Sequence, residues 1–188
     1  MNLPNLLSIS RVPVVFLIVY LMVRNTETTN CWAFGLFIAS ALTDWLDGYL
    51  ARKLNQITDL GKFLDALADK VLTSGLFIAL VALDRMGEDW ALFAVLLIVT
   101  REFMVTGLRL VAAGKGRVLA AEKLGKWKTA LQMVSIGLFL LVSAIPSSQP
   151  DMVLWCFELG WVVFVAATVL TVVSGVSYFI RNRDVFRK

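Results

Sequence analysis

The chain has 188 residues, of which 59% are hydrophobic and 17% are charged. Its mean hydropathy of +0.77 excludes an ordinary soluble domain of this size. The net charge of +4 does not indicate nucleic-acid binding, because the basic residues flank apolar runs, where anionic lipid head groups attract them. Histidine is absent, which leaves carboxylates for any acid, base or metal-binding role.

Apolar runs recur along nearly the whole chain, and each is long enough to cross a hydrocarbon core of about 30 Å as a helix. They predict an all-α integral membrane protein, a six-transmembrane-helix bundle in a single domain over residues 1–188. The predicted spans are 6–23, 31–51, 64–83, 90–113, 129–145 and 152–180.

The segment ahead of the first span predicts a short N-terminal interfacial helix, since Pro4 suits the first turn of a helix. Arg11 ends this segment, and we expect it either to reach the membrane surface by snorkelling or to contact substrate. Cys31 and Cys156 lack metal-ligand spacing and are expected to be buried free thiols near the outer ends of spans.

The basic residues are distributed unequally between the two sides of the predicted bundle, and this bias sets membrane orientation. Only Arg24 and Arg85 fall on one side. The other side, which is therefore predicted to be cytoplasmic and to hold both termini, carries Arg52, Lys53, Lys62, Lys115, Arg117, Lys123, Lys126, Lys128, Arg181, Arg183, Arg187 and Lys188.

The cytoplasmic end of the second span carries two aspartates and two small residues on one face. At 100° per residue, offsets of three, four and seven return to the same side of a helix. The residues at these offsets are Asp44, Asp47, Gly48 and Ala51. The small residues leave room for a bulky ligand or for close helix packing, and Arg52 can pair with an aspartate or with a ligand phosphate.

The third span begins with a matching face, on which Gly61, Asp65 and Asp69 are spaced by four. Because the loop between the two spans is short, we expect a hairpin whose acidic faces can meet. A carboxylate at membrane depth costs roughly 2.5–3.5 kcal/mol, so such a cluster implies function.

The four aspartates together would carry a formal charge that a low dielectric does not tolerate without bound cations. Two divalent ions would cancel it. Ligation by oxygen alone favours Mg²⁺ or Mn²⁺ over zinc. A site with two such ions clamps phosphoryl oxygens during an in-line displacement.

The aspartate pattern, DxxDGxxAR followed by eight residues and GxxxDxxxD, resembles the signature of the CDP-alcohol phosphatidyltransferases, whose core is likewise a six-helix membrane bundle. The resemblance implies that an acceptor hydroxyl attacks the β-phosphorus of a CDP-linked alcohol and releases CMP. It implies a homodimer, and it implies Asp69 as the base. The implied ligands of two metal ions are Asp44, Asp47, Asp65 and Asp69, and the implied nucleotide-binding residues are Asp47, Gly48, Ala51, Arg52 and Gly61.

The fourth span contains Arg101 well inside an apolar run, so we expect its side chain to face the bundle interior and a partner. Arg101, Arg109 and Lys126 together would suit the phosphate of an anionic acceptor. The alternative is internal pairing of the arginines with Glu102 or with the aspartates.

Three shorter strings, Asn-x-Pro-Asn at the start, Thr-Arg-Glu before Arg109, and Gly-Lys-x-Lys-Thr after it, resemble the bacterial phosphatidylglycerophosphate synthases. That resemblance implies CDP-diacylglycerol and sn-glycerol 3-phosphate as substrates at the cytoplasmic side of the bacterial inner membrane. Inositol phosphate, serine or a phospholipid remain alternative acceptors, although serine needs no basic pocket. An ion or proton transporter would also use intramembrane carboxylates, but the aspartates do not continue toward the outer face.

Overall fold

The computed structural model describes residues 3–53, 59–117, 119 and 123–186, and within these it describes side chains except at 3–5, 7, 44–53, 59–60, 62, 123–124 and 186. Its regular elements are six α-helices and one short 3₁₀ helix, with no strand in the described ranges. The helices are α1 Leu3–Arg24, α2 Glu27–Lys53, α3 Asp59–Ala82, α4 Ala91–Gly114, α5 Lys123–Ala144 and α6 Pro150–Arg181, and the 3₁₀ helix is Arg183–Phe186.

The all-helical prediction is confirmed, because each predicted span coincides with one helix, with ends that differ by six residues at most. In the described part of the chain, three helical segments are long and apolar enough to cross a membrane: Ala91–Gly114, Gly125–Ala144 and Pro150–Arg181. Length and apolar composition of this kind are typical of a membrane protein.

The prediction of a separate interfacial helix is wrong, because α1 begins at Leu3 and continues without interruption to Arg24. The physical reason lies in the segment 5–12, which contains neither glycine nor proline and so has nothing to end the helix. Pro13 lies inside α1 and removes one backbone donor without ending it.

Contacts between helix ends show that successive helices run in opposite directions. Arg85, between α3 and α4, donates to the carbonyl of Met22 near the end of α1 at 3.0 Å and to the hydroxyl of Ser143 near the end of α5 at 2.9 Å. Lys115, just after α4, donates to the carbonyl of Val185 beyond α6 at 2.6 Å. We call the end with the starts of α1, α3 and α5 the aspartate end, and the other the opposite end.

The main core occupies the half of the bundle toward the opposite end. It is built around interlocking rings: Phe77 lies 5.3 Å from Phe164, Trp161 lies 5.5 Å from Phe164 and 4.5 Å from Trp90, all between centroids. Tilted and edge-to-face rings at these separations stabilise a core beyond their buried area. A smaller apolar cluster at the aspartate end surrounds Tyr178.

The two acidic helices do not pack directly on one another among the residues described. Both α2 and α3 pack on α1 and on α5 instead. On α2, Phe37 lies against Gly137 of α5, and on α3, Gly75 lies against Val15 of α1. The apolar faces of α2 and α3 are thus used against α1 and α5. The predicted hairpin of acidic faces involves the side chains 44–53 of α2, which lie outside those described.

The cysteine prediction holds only in part. Both thiols are free, but Cys31 is exposed and Cys156 is half-buried. Cys31 lies in the first turns of α2 at the opposite end, where its thiol contacts the carbonyl of Ala144 at 3.5 Å. A position at the rim of the bundle leaves the side chain uncovered.

Candidate functional site

The start of α3 presents two carboxylates on one face. Asp65 and Asp69 are four residues apart in a continuous helix, and Gly61 lies one turn earlier on the same side, as the spacing predicts. The side chain of Asp65 is 52% exposed, and that of Asp69 is half-buried. The matching face of α2 is helical in backbone, but the side chains of its predicted site residues lie outside those described: Asp44, Asp47, Gly48, Ala51 and Arg52.

Arg11 of α1 is buried, with only 2% of its surface exposed, and its Nη2 donates to Oδ1 of Asp65 at 2.7 Å. The same nitrogen donates to the hydroxyl of Ser8 at 3.3 Å, one turn earlier on α1. The prediction that Arg11 snorkels to the membrane surface is therefore wrong. Arg11 stays inside the bundle because its counter-charge, Asp65, lies 54 residues away in the chain. No local pattern of α1 reveals this partner.

Arg101 of α4 faces the interior, as predicted. Its Nη1 donates to Oε1 of Glu102 at 3.2 Å and its Nη2 donates to the hydroxyl of Ser174 on α6 at 3.1 Å. Internal pairing with Glu102, which the sequence left open, is thus observed. The remaining donor, Nε, is buried and has no hydrogen-bond partner. A buried donor without a partner costs about 1–3 kcal/mol, so it is a position suited to a ligand acceptor.

Lys128 of α5 is the cation that sequence reasoning did not select. It is buried, with 5% of its surface exposed, and its ammonium group donates to the same Oε1 of Glu102 that Arg101 uses. It also interacts electrostatically with Asp69. Two cations therefore share one carboxylate, and the cluster connects α4 and α5 to the acidic face of α3.

A sequence signal for Lys128 exists in the polar stripe of α5. Lys128, Gln132 and Ser135 are all buried and recur at intervals of four and three in an apolar helix. Gln132 donates to the hydroxyl of Thr171 at 3.0 Å. Lys126, the predicted residue, lies about 200° from Lys128 around the helix and is exposed.

Arg109 lies two turns after Arg101 on α4 and is exposed. Its Nε donates to the hydroxyl of Tyr178 at 3.1 Å, and its guanidinium carbon lies 5.4 Å from the centre of that ring. Of the three residues predicted to bind an acceptor phosphate, the structure places Arg101 largely inside the bundle, with 13% of its side chain exposed, and leaves Arg109 and Lys126 exposed.

The donor set of this site suits a hard divalent cation. Among the side chains that the structure describes, no three histidine, cysteine, aspartate or glutamate residues converge. Asp65 and Asp69 nevertheless supply two carboxylates from one helix face, and α2 bears two more aspartates in its last turns. Carboxylate oxygens without nitrogen or sulfur ligands are the donors that Mg²⁺ and Mn²⁺ prefer.

Comparison with known proteins gives a consistent result. The family model described as CDP-alcohol phosphatidyltransferase matches residues 1–177. A CDP-diacylglycerol–glycerol-3-phosphate 3-phosphatidyltransferase of Bacillus subtilis is 37% identical over 202 aligned positions, covering 99% of this chain and 97% of the relative. One of the same name from Rickettsia typhi is 35% identical, covering 95% of each. A probable phosphatidylglycerophosphate synthase of Mycobacterium tuberculosis is 38% identical, covering 98% of this chain and 83% of the relative.

Proposed function

Because the chain belongs to the CDP-alcohol phosphatidyltransferase family, we propose that it transfers a phosphatidyl group from CDP-diacylglycerol to sn-glycerol 3-phosphate, releasing CMP and phosphatidylglycerophosphate. These are the substrates named for its relatives in Bacillus subtilis and Rickettsia typhi. The observation that carries the proposal is that Asp65 and Asp69 share one face of α3, and that Lys128, which contacts Glu102 together with Arg101, interacts electrostatically with Asp69.

The ligands of two divalent cations, Mg²⁺ or Mn²⁺, are proposed to be Asp44, Asp47, Asp65 and Asp69. When bound, such ions neutralise the diphosphate and stabilise the charge that develops during displacement. The solvent access of Asp65 and the shared face of Asp65 and Asp69 support this role. Asp69 is also proposed to accept the proton of the acceptor hydroxyl, which a positioned carboxylate can do once that hydroxyl is polarised.

The nucleotide is proposed to lie against the small residues of the two acidic helices. A residue without a bulky side chain lets a flat ligand approach the backbone closely, and a guanidinium can hold a phosphate with two parallel hydrogen bonds. The proposed nucleotide-binding residues are Asp47, Gly48, Ala51, Arg52 and Gly61.

The acceptor phosphate is proposed to bind to Arg101, Arg109 and Lys126, and the observed contacts add Lys128 to this set. Arg101 and Lys128 share the carboxylate of Glu102, and Lys128 also interacts electrostatically with Asp69. The buried Nε–H of Arg101 has no hydrogen-bond acceptor among the residues described. A phosphate oxygen would satisfy that donor.

The membrane arrangement is proposed to comprise six spans in the bacterial inner membrane, with both termini and the aspartate end at the cytoplasmic side. The asymmetric distribution of lysine and arginine supports this orientation. Trp32, Trp90 and Trp155 are exposed at the opposite end, where an interfacial aromatic belt is expected. A homodimer is proposed from the family resemblance, and the mass of the detergent-solubilised particle tests it.

The substrates can be tested with purified protein in detergent, supplied with Mg²⁺ and CDP-diacylglycerol. Separate reactions receive glycerol 3-phosphate, serine, inositol or inositol phosphate, and the lipid products are identified by mass. The expected result is CMP release and phosphatidylglycerophosphate with glycerol 3-phosphate alone. If another acceptor gives the most product, that molecule replaces glycerol 3-phosphate as the proposed acceptor. Ion flux in liposomes without CMP release would contradict the proposal that the protein is an enzyme.

A further inference from the structure

Arg11 is the most deeply buried charged side chain among those the structure describes, yet the carboxylate it contacts is half open to solvent. Its Nη2 engages Oδ1 of Asp65 at 2.7 Å, while 52% of the Asp65 side chain stays exposed. We propose that Arg11 is a positioning residue, which holds Asp65 in the orientation needed to bind a divalent cation. This inference rests on the metal-dependent function proposed above.

Burial of a guanidinium is expensive, and a buried ion pair adds little stability compared with apolar packing of the same volume. A fully covered arginine that reaches a partly exposed carboxylate therefore does more than join α1 to α3. Carboxylates that bind metals are usually oriented by a further hydrogen bond, and loss of that bond typically weakens metal affinity by about 10–100-fold. Arg11 supplies such a bond, since it holds one oxygen of Asp65 and leaves the side chain accessible.

The position of α1 strengthens this assignment. Among the described residues, α1 packs on both α2 and α3, the two helices that carry the aspartates, whereas α2 and α3 do not pack on each other. A side chain that extends from α1 can thus fix α3 relative to the neighbouring acidic helix. Ser8, which is 4% exposed, receives a second hydrogen bond from the same Nη2 at 3.3 Å and fixes the guanidinium itself.

The chain also contains a matched control. Arg85 is a partly buried arginine that joins α1 to other helices, but it lies at the opposite end, and its described hydrogen bonds go to neutral groups: the carbonyl of Met22, the side-chain oxygen of Asn25 and the hydroxyl of Ser143. Its loss removes hydrogen bonds that join α1 and α5 without touching the carboxylates. A general loosening of the bundle would therefore be seen in an Arg85 variant as well as in an Arg11 variant.

The experiment measures Mn²⁺ binding to the full-length protein in detergent, from the electron paramagnetic resonance signal of free Mn²⁺. Arg11→Met is expected to weaken Mn²⁺ affinity by about 10–100-fold, and Arg11→Lys is expected to recover part of that loss. Arg85→Met should bind Mn²⁺ as the unaltered chain does. As a second measurement, CMP release by Arg11→Met should return toward the unaltered rate when Mn²⁺ is raised, because the defect lies in cation binding.

The possible results separate the two proposals. Unchanged or tighter Mn²⁺ binding by Arg11→Met, or an equal loss in Arg85→Met, would overturn the role of Arg11 alone. Absence of Mn²⁺ binding by the unaltered chain would overturn the metal-dependent function as well. Should Arg11→Met fail to fold, Ser8→Ala removes the hydroxyl that fixes the guanidinium. It is expected to weaken Mn²⁺ binding in the same direction but less, and unchanged affinity would again contradict the proposal.

Discussion

The two ends of the bundle use buried polar groups differently. At the opposite end, Arg85 donates to neutral oxygens, and the indole nitrogen of Trp161 donates to the carbonyl of Met86 at 3.0 Å. At the aspartate end, Arg11 and Lys128 are held by carboxylates, and the Nε of Arg101 is buried without a partner. Neutral hydrogen bonds complete the packing of the bundle, whereas charged groups that share too few partners are suited to bind a charged ligand.

The largest expected effect is on turnover, at the end of the bundle that carries the charges. Asp69→Asn removes the proposed base and a proposed metal ligand, so the rate of CMP release should fall by at least about 10²–10⁴-fold. The matched control is Asp84→Asn in the turn after α3, where φ is 52° and asparagine is well tolerated. Equal losses in the two variants would contradict the special role of Asp69.

A smaller effect is expected from Arg101→Met, which removes the guanidinium but keeps an apolar side chain in the bundle. Hydrogen bonds to charged groups contribute about 1.5–3 kcal/mol. The KM for glycerol 3-phosphate should therefore rise by roughly tenfold to 150-fold, with little change in the KM for CDP-diacylglycerol. Steady-state kinetics with each substrate varied in turn distinguish these effects, and an equal rise in both KM values would argue against an acceptor site at Arg101.

Gly175→Ala should displace Arg101 without removing it. A Cβ at Gly175 would lie 2.7 Å from Cγ of Arg101, closer than real side chains approach, and overpacking of this kind costs about 1–3 kcal/mol. The free energy of unfolding should fall, and the KM for glycerol 3-phosphate should rise less than in Arg101→Met.

The control for this substitution is Gly107→Ala on α4, where a Cβ would meet nothing within 4 Å. There the free energy of unfolding should rise by roughly 0.5–1 kcal/mol, because alanine loses less backbone entropy than glycine in a helix. Thermal unfolding in detergent compares the two variants. A neutral Gly175→Ala would show that Arg101 moves aside without cost.

The smallest effect on catalysis is expected at the opposite end. Arg85→Met removes hydrogen bonds to neutral groups on α1 and α5 and should lower the free energy of unfolding by about 1–3 kcal/mol. Both KM values and the rate of CMP release should stay unchanged once the protein is folded. Altered kinetics in the folded variant would mean that the two ends of the bundle are coupled.

Much of this architecture is predictable from the sequence, because hydrophobic runs and helical periodicity are local signals. They predicted all six helices, the shared face of Gly61, Asp65 and Asp69, and the interior position of Arg101. The failures involve long-range contacts. Arg11 was expected at the membrane surface, but its partner Asp65 lies on another helix.

Lys128 carries a sequence signal that distinguishes it from Lys126. It is two residues from Lys126 in the same basic string, so charge alone does not separate them. Helical phase does, because Lys128 continues the buried polar stripe of Gln132 and Ser135. That Lys128 shares Glu102 with Arg101 depends on how α4 and α5 are placed in the bundle, which no single helix specifies.

The central claim is that the aspartate end performs phosphatidyl transfer with the help of divalent cations. The most direct measurement is the rate of CMP release from CDP-diacylglycerol and glycerol 3-phosphate, first in excess chelator and then as Mg²⁺ is added back. We expect no CMP release in chelator and full recovery with Mg²⁺, with Asp69→Asn inactive throughout. CMP release that persists unchanged in chelator would contradict the claim.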